Sequence, residues 1–323
     1  MRCGYGTYLP ATAEAGSELR EEIALTEAAG FDAIFFSEHH GIDGYAADPL
    51  GLAVYALGQT STLKAGPMPL LLPLHNPVRV AETAGLAHFL SDGRLLLGVA
   101  AGYLEQDYAQ VGIPLEERGG RMREAMEVVK LALAGEGRSF RGRFYALEQA
   151  GPLLHRGPDG PPPLWMASST EIGIKRAARW CEGLMLNSLL SAAEARPLIE
   201  EYRELCARAG REPGTIGIIR RGWFGSSAES EAFLESFAGQ LRGHVNFASY
   251  AGKDWVRELD ARTWVQDVVF TGEPAEFAER LQEWGAGLGI DYVMLKLHWG
   301  SRDFGALKQQ LRRAEAFARR LHR

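Results

Sequence analysis

Four of the eight histidines lie in short polar segments that directly follow apolar runs: His39, His40, His75 and His298. An imidazole changes its charge near neutral pH, so such a group can accept, donate or hold a proton during a reaction. Histidines that cluster where strands end therefore predict an acid–base site. We take His39, His40 and His298 as the catalytic candidates, with His39 as the leading one and His75 as a weaker one.

The triplet Glu38-His39-His40 also has a purely structural explanation. Adjacent residues in an extended chain point to opposite sides, so at most one of the two imidazoles easily faces the centre of a pocket. The other is then expected to bond to a backbone carbonyl. Both assignments stay open for each histidine.

Hydroxyl groups and glycines suggest where a ligand could approach the backbone. Ser168, Ser169 and Thr170 precede a predicted helix, where they can cap the helix or help its free N–H groups to bind a phosphate. Gly98 and Gly102 flank three small residues and allow a ligand to come close to the main chain. Neither pattern is specific by itself.

Strand-like and helix-like segments alternate along the whole chain, and the strands are continuous apolar runs. This pattern is typical of a parallel sheet covered by helices, and eight such units that close on themselves predict a (β/α)8 TIM barrel of the α/β class. The predicted strands are residues 3–9, 31–36, 63–72, 94–101, 164–167, 183–186, 215–224 and 291–297. The predicted helices are residues 17–29, 49–57, 77–90, 117–134, 170–180, 192–209, 228–241, 273–288 and 304–321.

Two insertions interrupt this pattern within a predicted single domain over residues 1–323. Residues 135–163 are rich in Gly, Pro and Arg and contain a hairpin-like piece, whereas residues 243–269 lack clear periodicity and are predicted to form a lid. An open doubly wound sheet is the alternative fold. It is disfavoured because Thr7-Tyr8-Leu9-Pro10, after the first strand, lacks the glycines that cradle a pyrophosphate.

The position of the polar segments agrees with the predicted barrel. Active sites of such barrels are built at the C-terminal ends of the strands. The candidate histidines and the hydroxyl cluster all follow predicted strands, so they gather at one mouth. This arrangement predicts an enzyme pocket for a flat conjugated ligand.

Composition limits the classes of partner. The net charge of −6 does not favour nucleic acid or an anionic membrane surface, and the longest apolar run, residues 67–74, is too short to span a bilayer. The three cysteines form no CxxC pair and the histidines form no HxH pair, so we expect no metal site and no disulfide framework. The first residues run into a strand without a signal-peptide core, so we expect a cytoplasmic protein.

Three stretches, taken in order, carry a resemblance to a known family. They are Glu38-His39-His40 at the end of residues 27–40, Asn76-Pro77-Val78-Arg79 followed by Ala81-Glu82, and Asp92-Gly93-Arg94 at the start of residues 92–99. With Gly102-Tyr103 and the last unit over residues 274–293, they cover nearly the whole chain. The chain is identified as a member of the superfamily of bacterial-luciferase-like flavin-dependent monooxygenases and F420-dependent oxidoreductases.

The resemblance implies a flavin-type cofactor at the barrel mouth, namely FMN in one branch and the deazaflavin F420 in the other. The implied cofactor-binding residues are Met68, Pro69, Ala100, Gly102, Tyr103, Leu104, Ser168, Ser169 and Thr170. Luciferase has Cys-Arg where this chain has Ala100-Ala101, so the arginine that grips the phosphate is missing. Arg220 or Arg221 is an alternative cation for that role, and F420 stays open as the cofactor.

Family members often carry a cis peptide on the third strand, where the backbone presses against the flavin. The matching position here is Met68-Pro69. A cis bond is far less costly before proline than before other residues. We therefore predict that the Met68–Pro69 bond is cis.

The resemblance implies a two-component monooxygenase, in which a separate flavin reductase supplies reduced FMN and the enzyme uses it with O₂ to oxidise a small organic substrate. One alternative is an F420-dependent oxidoreductase that transfers a hydride. Another is a barrel that binds a flavin without catalysis. The resemblance also implies a homodimer formed through helices near the second and third strands.

Overall fold

The computed structural model describes residues 1–9, 11–149, 159–240, 265, 268–297 and 303–321. The strands are β1 (Arg2–Gly6), β2 (Ala33–Phe36), β3 (Lys64–Pro67), β4 (Leu70–Leu71), β5 (Leu97–Ala100), β6 (Phe140–Arg141), β7 (Ala146–Leu147), β8 (Leu164–Ala167), β9 (Gly183–Leu186), β10 (Thr215–Phe224), β11 (Val269–Gly272) and β12 (Tyr292–Lys296). The helices are α1 (Ala15–Ala28), α2 (Pro49–Gln59), α3 (Pro77–Leu90), α4 (Glu105–Gln110), α5 (Arg118–Ala134), α6 (Glu171–Trp180), α7 (Ala192–Arg208), α8 (Ser227–Gln240), α9 (Pro274–Leu288) and α10 (Phe304–Leu321).

Parallel strands form a nearly closed barrel in the order β3, β2, β1, β12, β10, β9, β8, β5, β4. The two ends of this path are successive pieces of one stretch of chain, since β3 and β4 are separated only by Met68 and Pro69. A parallel bridge between Ala65 and Leu95 brings β3 beside the residues that precede β5. The predicted (β/α)8 TIM barrel is confirmed.

The barrel has a packed interior and a larger core between the strands and the helices. The interior cluster includes Phe35, Met68, Trp165, Tyr292 and Met294, which are almost fully buried. Large side chains fit because β1 has a glycine at this level of the barrel. A Cβ atom on Gly4 would lie 2.6 Å from atoms of Phe35 and Tyr292. The residues between the inward-facing ones on each strand, such as Val293 and Leu295, point outward and pack against the helices.

Sequence signals at the helix ends agree with the observed boundaries. Asp48 accepts the Gly51 N–H at the start of α2, and Asn76 accepts two amides at the start of α3, which also has proline as its first residue. Ser191 and Glu194 form a reciprocal capping box on α7. Gly135 ends α5 in the left-handed conformation, which glycine adopts at little cost.

One local prediction is wrong, and two elements were not predicted. The single strand predicted over residues 63–72 is broken into β3 and β4 at Met68-Pro69 and then turns into a short 3₁₀ helix, Leu72–Leu74. The six-residue helix α4 was not predicted, because its sequence has no apolar periodicity. Strand β11 begins at Val269, inside the predicted second insertion, and pairs with the end of β10.

The predicted hairpin in the first insertion is confirmed, since β6 and β7 pair in antiparallel fashion. Most of the lid predicted over residues 243–269 lies outside the described residues. Among the described helices, none is long and apolar enough to cross a membrane.

Candidate active site

A buried carboxylate–imidazole pair lies at the end of the second strand. The Nδ1 atom of His39 lies 2.8 Å from Oδ2 of Asp107, and the other oxygen of that carboxylate accepts the backbone N–H of His40 at 2.8 Å. Asp107 is fully buried and His39 is 7% exposed. Asp107 is in the first turn of α4, directly after β5, so the pair joins the ends of β2 and β5.

This geometry selects the tautomer of a neutral His39. An ionised carboxylate only accepts hydrogen bonds, so Nδ1 of a neutral His39 carries the proton and donates it to Asp107. The remaining nitrogen, Nε2, is then the basic one. Tyr45 packs edge-on against the imidazole at 4.5 Å between ring centroids, and Tyr103 lies at 5.9 Å on a second side. The imidazole is thus oriented by Asp107 and packed between two phenols.

The other two described candidate histidines share a different carboxylate. Oε1 of Glu38 lies 3.0 Å from Nε2 of His40 and 2.8 Å from Nε2 of His75, while Oε2 accepts the Leu71 N–H at 2.6 Å. Glu38 is 1% exposed, so these contacts replace the water that its charge has lost. His40 therefore contacts Glu38 through Nε2, whereas His39 contacts Asp107 through Nδ1.

The peptide bond between Met68 and Pro69 is cis, which confirms the prediction. Both of its flanking carbonyls are held by the second strand's end: Ser37 Oγ donates to the Met68 carbonyl at 2.8 Å, and the Glu38 N–H donates to the Pro69 carbonyl at 3.1 Å. The Met68 side chain is fully buried in the barrel interior. Any ligand at this position therefore contacts main chain rather than the Met68 side chain.

The segment after β5 turns sharply toward the His39 pair. Gly102 has a φ of +72°, a conformation that glycine tolerates and L side chains rarely adopt. The hydroxyl of Tyr108, in α4, donates to the carbonyl of Ala101 and holds this turn. Tyr103 is partly exposed, Leu104 precedes α4, and Ala100 is buried.

The hydroxyl oxygens of Ser168, Ser169 and Thr170 each accept a backbone N–H group. Thr170 caps α6 by accepting the Gly173 N–H at 3.2 Å, and Ser168 accepts the Thr170 N–H at 3.2 Å. Ser169 accepts the Asn187 N–H at 3.0 Å and so joins the ends of β8 and β9. The cap explanation is confirmed. The other N–H groups of the first turn of α6 have no intrahelical partner, as in any helix.

The two arginines of β10 face opposite sides of the barrel wall. Arg220 donates to the carbonyls of Ile219 and Leu190 and lies over the ring of Trp284 in α9, so it packs outside the strands. Arg221 faces the interior together with Lys296 of β12, and burial lowers the pKa of Arg221 to about 9. Burial, with a smaller contribution from the charge of Arg221, lowers the pKa of Lys296 to about 7.

The structure brings most of the predicted site residues to one mouth of the barrel. The ends of β2, β3 and β5 carry His39, His40, Met68, Pro69, Ala100, Gly102, Tyr103 and Leu104. Ser168, Ser169 and Thr170 follow β8, which pairs with β5. His298 lies outside the described residues.

Sequence reasoning missed Asp107, Tyr45 and Lys296 as members of this site. Asp107 follows a predicted strand by only a few residues, which is the one signal that could have indicated it. Lys296 interrupts an otherwise apolar strand near its end, where a charged residue facing inward is unusual. Within the described residues, no group of three or more His, Cys, Asp or Glu side chains could hold a metal ion.

Comparison with known proteins shows the family of this chain. The model of the family described as luciferase-like monooxygenase matches residues 4–292. The chain belongs to that family. Among solved structures, it superposes on the monooxygenase RslO1 from Streptomyces bottropensis with a TM-score of 0.83 at 21% identity, over 100% of this chain and 99% of the other.

Two further relatives represent both cofactor branches. The oxygenating constituent of 3,6-diketocamphane monooxygenase from Pseudomonas putida, solved in complex with FMN, has a TM-score of 0.80 at 17% identity, covering 99% and 97% of the two chains. An F420-dependent glucose-6-phosphate dehydrogenase from Beutenbergia cavernae is 31% identical over 58% of this chain and 57% of its own length. This chain spans 51% to 63% of the length of the first curated relatives that it matches.

Proposed function

We propose that this protein is a monooxygenase that uses reduced FMN and O₂ to oxidise a small organic substrate, with a separate flavin reductase supplying the reduced FMN. The observation that carries this proposal is the buried Asp107–His39 pair at the barrel mouth, at a strand end where Ser37 and Glu38 also hold the Met68 and Pro69 carbonyls. The similarity in fold to structures named as monooxygenases supports it.

The residues present fit a flavin-type cofactor. The main chain at Met68-Pro69 and the turn at Gly102 give a flat ligand close access, because no side chain projects from the turn and the Met68 side chain is buried. The amides of the first turn of α6, with the hydroxyls of Ser169 and Thr170, supply donors for a phosphate. Ala100 and Ala101 supply no charge there, so this phosphate would be held by neutral donors.

The chain's own residues supply position and proton transfer. Reduced FMN, when bound, supplies the electrons with which O₂ is activated. Nε2 of His39 accepts or returns a proton at the reacting face, and Asp107 stabilises the imidazolium that forms in between. The rings of Tyr45 and Tyr103 flank this imidazole and limit the access of water to it.

The test measures cofactor and oxygen use separately. The dissociation constants of FMN, reduced FMN and F420 are measured with purified protein, followed by turnover of a broad substrate panel with reduced FMN and isotopically labelled O₂. The proposal predicts tight binding of oxidised or reduced FMN and label in an oxygenated product. Absence of labelled product across the panel, together with tight F420 binding, would contradict it.

A second candidate is an F420-dependent oxidoreductase, favoured by the 31% identity to a protein named as an F420-dependent dehydrogenase. In that case His39 would act on the substrate's proton while a hydride moves to F420, without O₂. Reduction of F420 by a substrate under anaerobic conditions would decide for this alternative.

A further inference from the structure

Two positively charged side chains are buried side by side at the barrel mouth. Arg221 of β10 and Lys296 of β12 are register partners on adjacent parallel strands and are 4% and 8% exposed. Both face the interior, because Ile219 and Met294, two residues earlier on the same strands, pack with the interior cluster. Two basic side chains therefore lie next to each other in the buried barrel interior.

Lys296 and Arg221 each lie near an aromatic ring. The ammonium group of Lys296 lies 5.8 Å from the ring centroid of Tyr45, and the guanidinium of Arg221 lies 5.4 Å from that of Phe237. Within the described part of the chain, Lys296 forms no ion pair with a carboxylate. A ring face offsets only part of the cost of burying the Lys296 ammonium, whereas an anion would offset much more.

Tyr45 joins this cationic pair to the proposed catalytic histidine. The same ring that lies near Lys296 packs edge-on against His39 at 4.5 Å between centroids. A ligand held by Lys296 and Arg221 would therefore extend toward Nε2 of His39.

The cations lie on the side of the barrel away from the proposed cofactor contacts. Counting β3 and β4 as one wall position, β10 lies four strands from β4 in either direction, and β12 lies four strands from β5 in either direction. The cofactor candidates follow β3, β5 and the strand that pairs with β5, which is β8. Lys296 and Arg221 thus face the cofactor position across the mouth, where a substrate would lie.

We propose that Lys296 and Arg221 bind the acidic group of the substrate, so that this protein acts on small organic acids that carry a carboxylate, sulfonate or phosphate. This inference rests on the proposed function, because it takes the barrel mouth as the substrate site. An acidic group there would accept hydrogen bonds from both cations, and the reacting part of the substrate would lie between His39 and the cofactor.

The test compares two fluorescent probes that differ in one acidic group: 8-anilinonaphthalene-1-sulfonate and its neutral counterpart N-phenyl-1-naphthylamine. Their dissociation constants are measured with the wild-type protein, Lys296→Met, Lys296→Arg and the control Lys130→Met, whose lysine is exposed on α5. We expect Lys296→Met to weaken sulfonate binding by about tenfold or more and to leave the neutral probe unaffected. Lys296→Arg should keep most of the sulfonate affinity, and Lys130→Met should match the wild type.

The outcomes separate this inference from the proposed function. Sulfonate binding that is unchanged in Lys296→Met overturns the inference, even where FMN binds tightly. A parallel loss of FMN affinity in Lys296→Met also overturns it, because the cations would then serve the cofactor. A wild-type protein that binds neither FMN nor F420, yet loses its preference for the sulfonate when Lys296 is replaced, would keep the anion site and refute the proposed function.

Discussion

At the scale of single residues, the proposed chemistry depends on which nitrogen of His39 carries a proton. In Asp107→Asn, the side-chain amide can donate to Nδ1, which moves the proton of His39 to Nε2 and removes the basic nitrogen. We expect kcat to fall by about 10²-fold or more while the Kd of the cofactor changes little. Steady-state kinetics on the substrate found in the panel would measure the first effect, and fluorescence titration the second.

Nitrogen chemical shifts of His39 would report the same change without a substrate. Glu105→Gln is the matched control, since Glu105 is an exposed carboxylate in the same short helix. If Asp107→Asn kept its kcat and lost only cofactor affinity, Asp107 would be a structural brace for the turn after β5 and not a partner in proton transfer.

Lys296 gives a stability prediction whose sign follows from its pKa. Burial lowers that pKa from 10.5 to about 7, so between these values the unfolded chain holds a proton that the folded protein releases. The free energy of unfolding therefore rises with pH across that window. Below the window, the buried Lys296 is charged beside Arg221 and Tyr45, and the cost of burying it is greatest. We expect Lys296→Met to raise the Tm by roughly 5 °C at about pH 6, and by less at about pH 9.

Calorimetry at the two pH values, with Lys130→Met as the exposed control, would measure this effect. A Tm gain that did not depend on pH would show that the ammonium is not desolvated in the folded protein.

Lys296 and Asp107 show which site residues could not be predicted from the sequence. Residue type and spacing predicted histidines at strand ends, but which charged side chain faces inward depends on register and on the direction of a six-residue helix.

At the scale of elements, Glu124 of α5 fastens the hairpin insertion to the barrel. Its buried carboxylate accepts the backbone N–H groups of Arg143, Phe144 and Tyr145. Burial by itself raises the pKa of Glu124, but the three amide hydrogen bonds together outweigh it and hold the pKa below its usual value. This stabilisation is present above the usual pKa of a glutamate and is lost as pH falls through the lowered value.

Glu124→Gln is therefore expected to destabilise the protein by about 2 kcal/mol at neutral pH, because an amide cannot replace a carboxylate that accepts three bonds. Hydrogen exchange of residues 143–145 should become faster than exchange in the strands. Glu127→Gln, three residues further along the same helix, is the control. Exchange that stayed slow at 143–145 in Glu124→Gln would mean that the hairpin is held by other contacts, such as the stacking of Arg121 on Phe144.

Most elements of the barrel were predictable because most strands are largely apolar runs and several helices have a capping residue at their start. Asn76-Pro77 before α3 and Ser191 with Glu194 on α7 are such signals. The break between β3 and β4 was not predictable from polarity, since residues 64–72 are apolar apart from the first. Strand β11 pairs only with the end of β10, a tertiary contact that leaves no periodic pattern in its own four residues.

At the scale of the whole molecule, the parallel order of the strands explains why the functional groups meet. All the barrel strands point the same way, so residues that are far apart in sequence, such as His39, Asp107 and Lys296, arrive at one mouth. The two sides of the mouth carry different groups: the ends of β2, β3 and β5 carry the proposed proton-transfer and cofactor groups, and the ends of β10 and β12 carry Arg221 and Lys296.

Exposed apolar side chains are concentrated on two neighbouring helices, α2 and α3. Of the large apolar side chains exposed in the described part of the chain, α2 and α3 carry Val54, Tyr55, Leu86, Phe89 and Leu90. Contiguous exposed apolar surface of this kind marks a protein interface, and a patch that covers a second copy of itself gives a closed two-fold dimer. We propose that the protein is a homodimer through α2 and α3.

The dimer prediction is tested with Leu86→Asp combined with Leu90→Asp, which places desolvated charges at the centre of such an interface. We expect the wild-type protein to sediment as a dimer at micromolar concentration and the double variant as a folded monomer. Ile172→Asp is the matched control, because Ile172 is a 62% exposed apolar residue on α6, outside the patch. A monomeric wild type, or a dimer that survives both charges, would place the interface elsewhere, and the apolar surface of α2 and α3 would then need another partner.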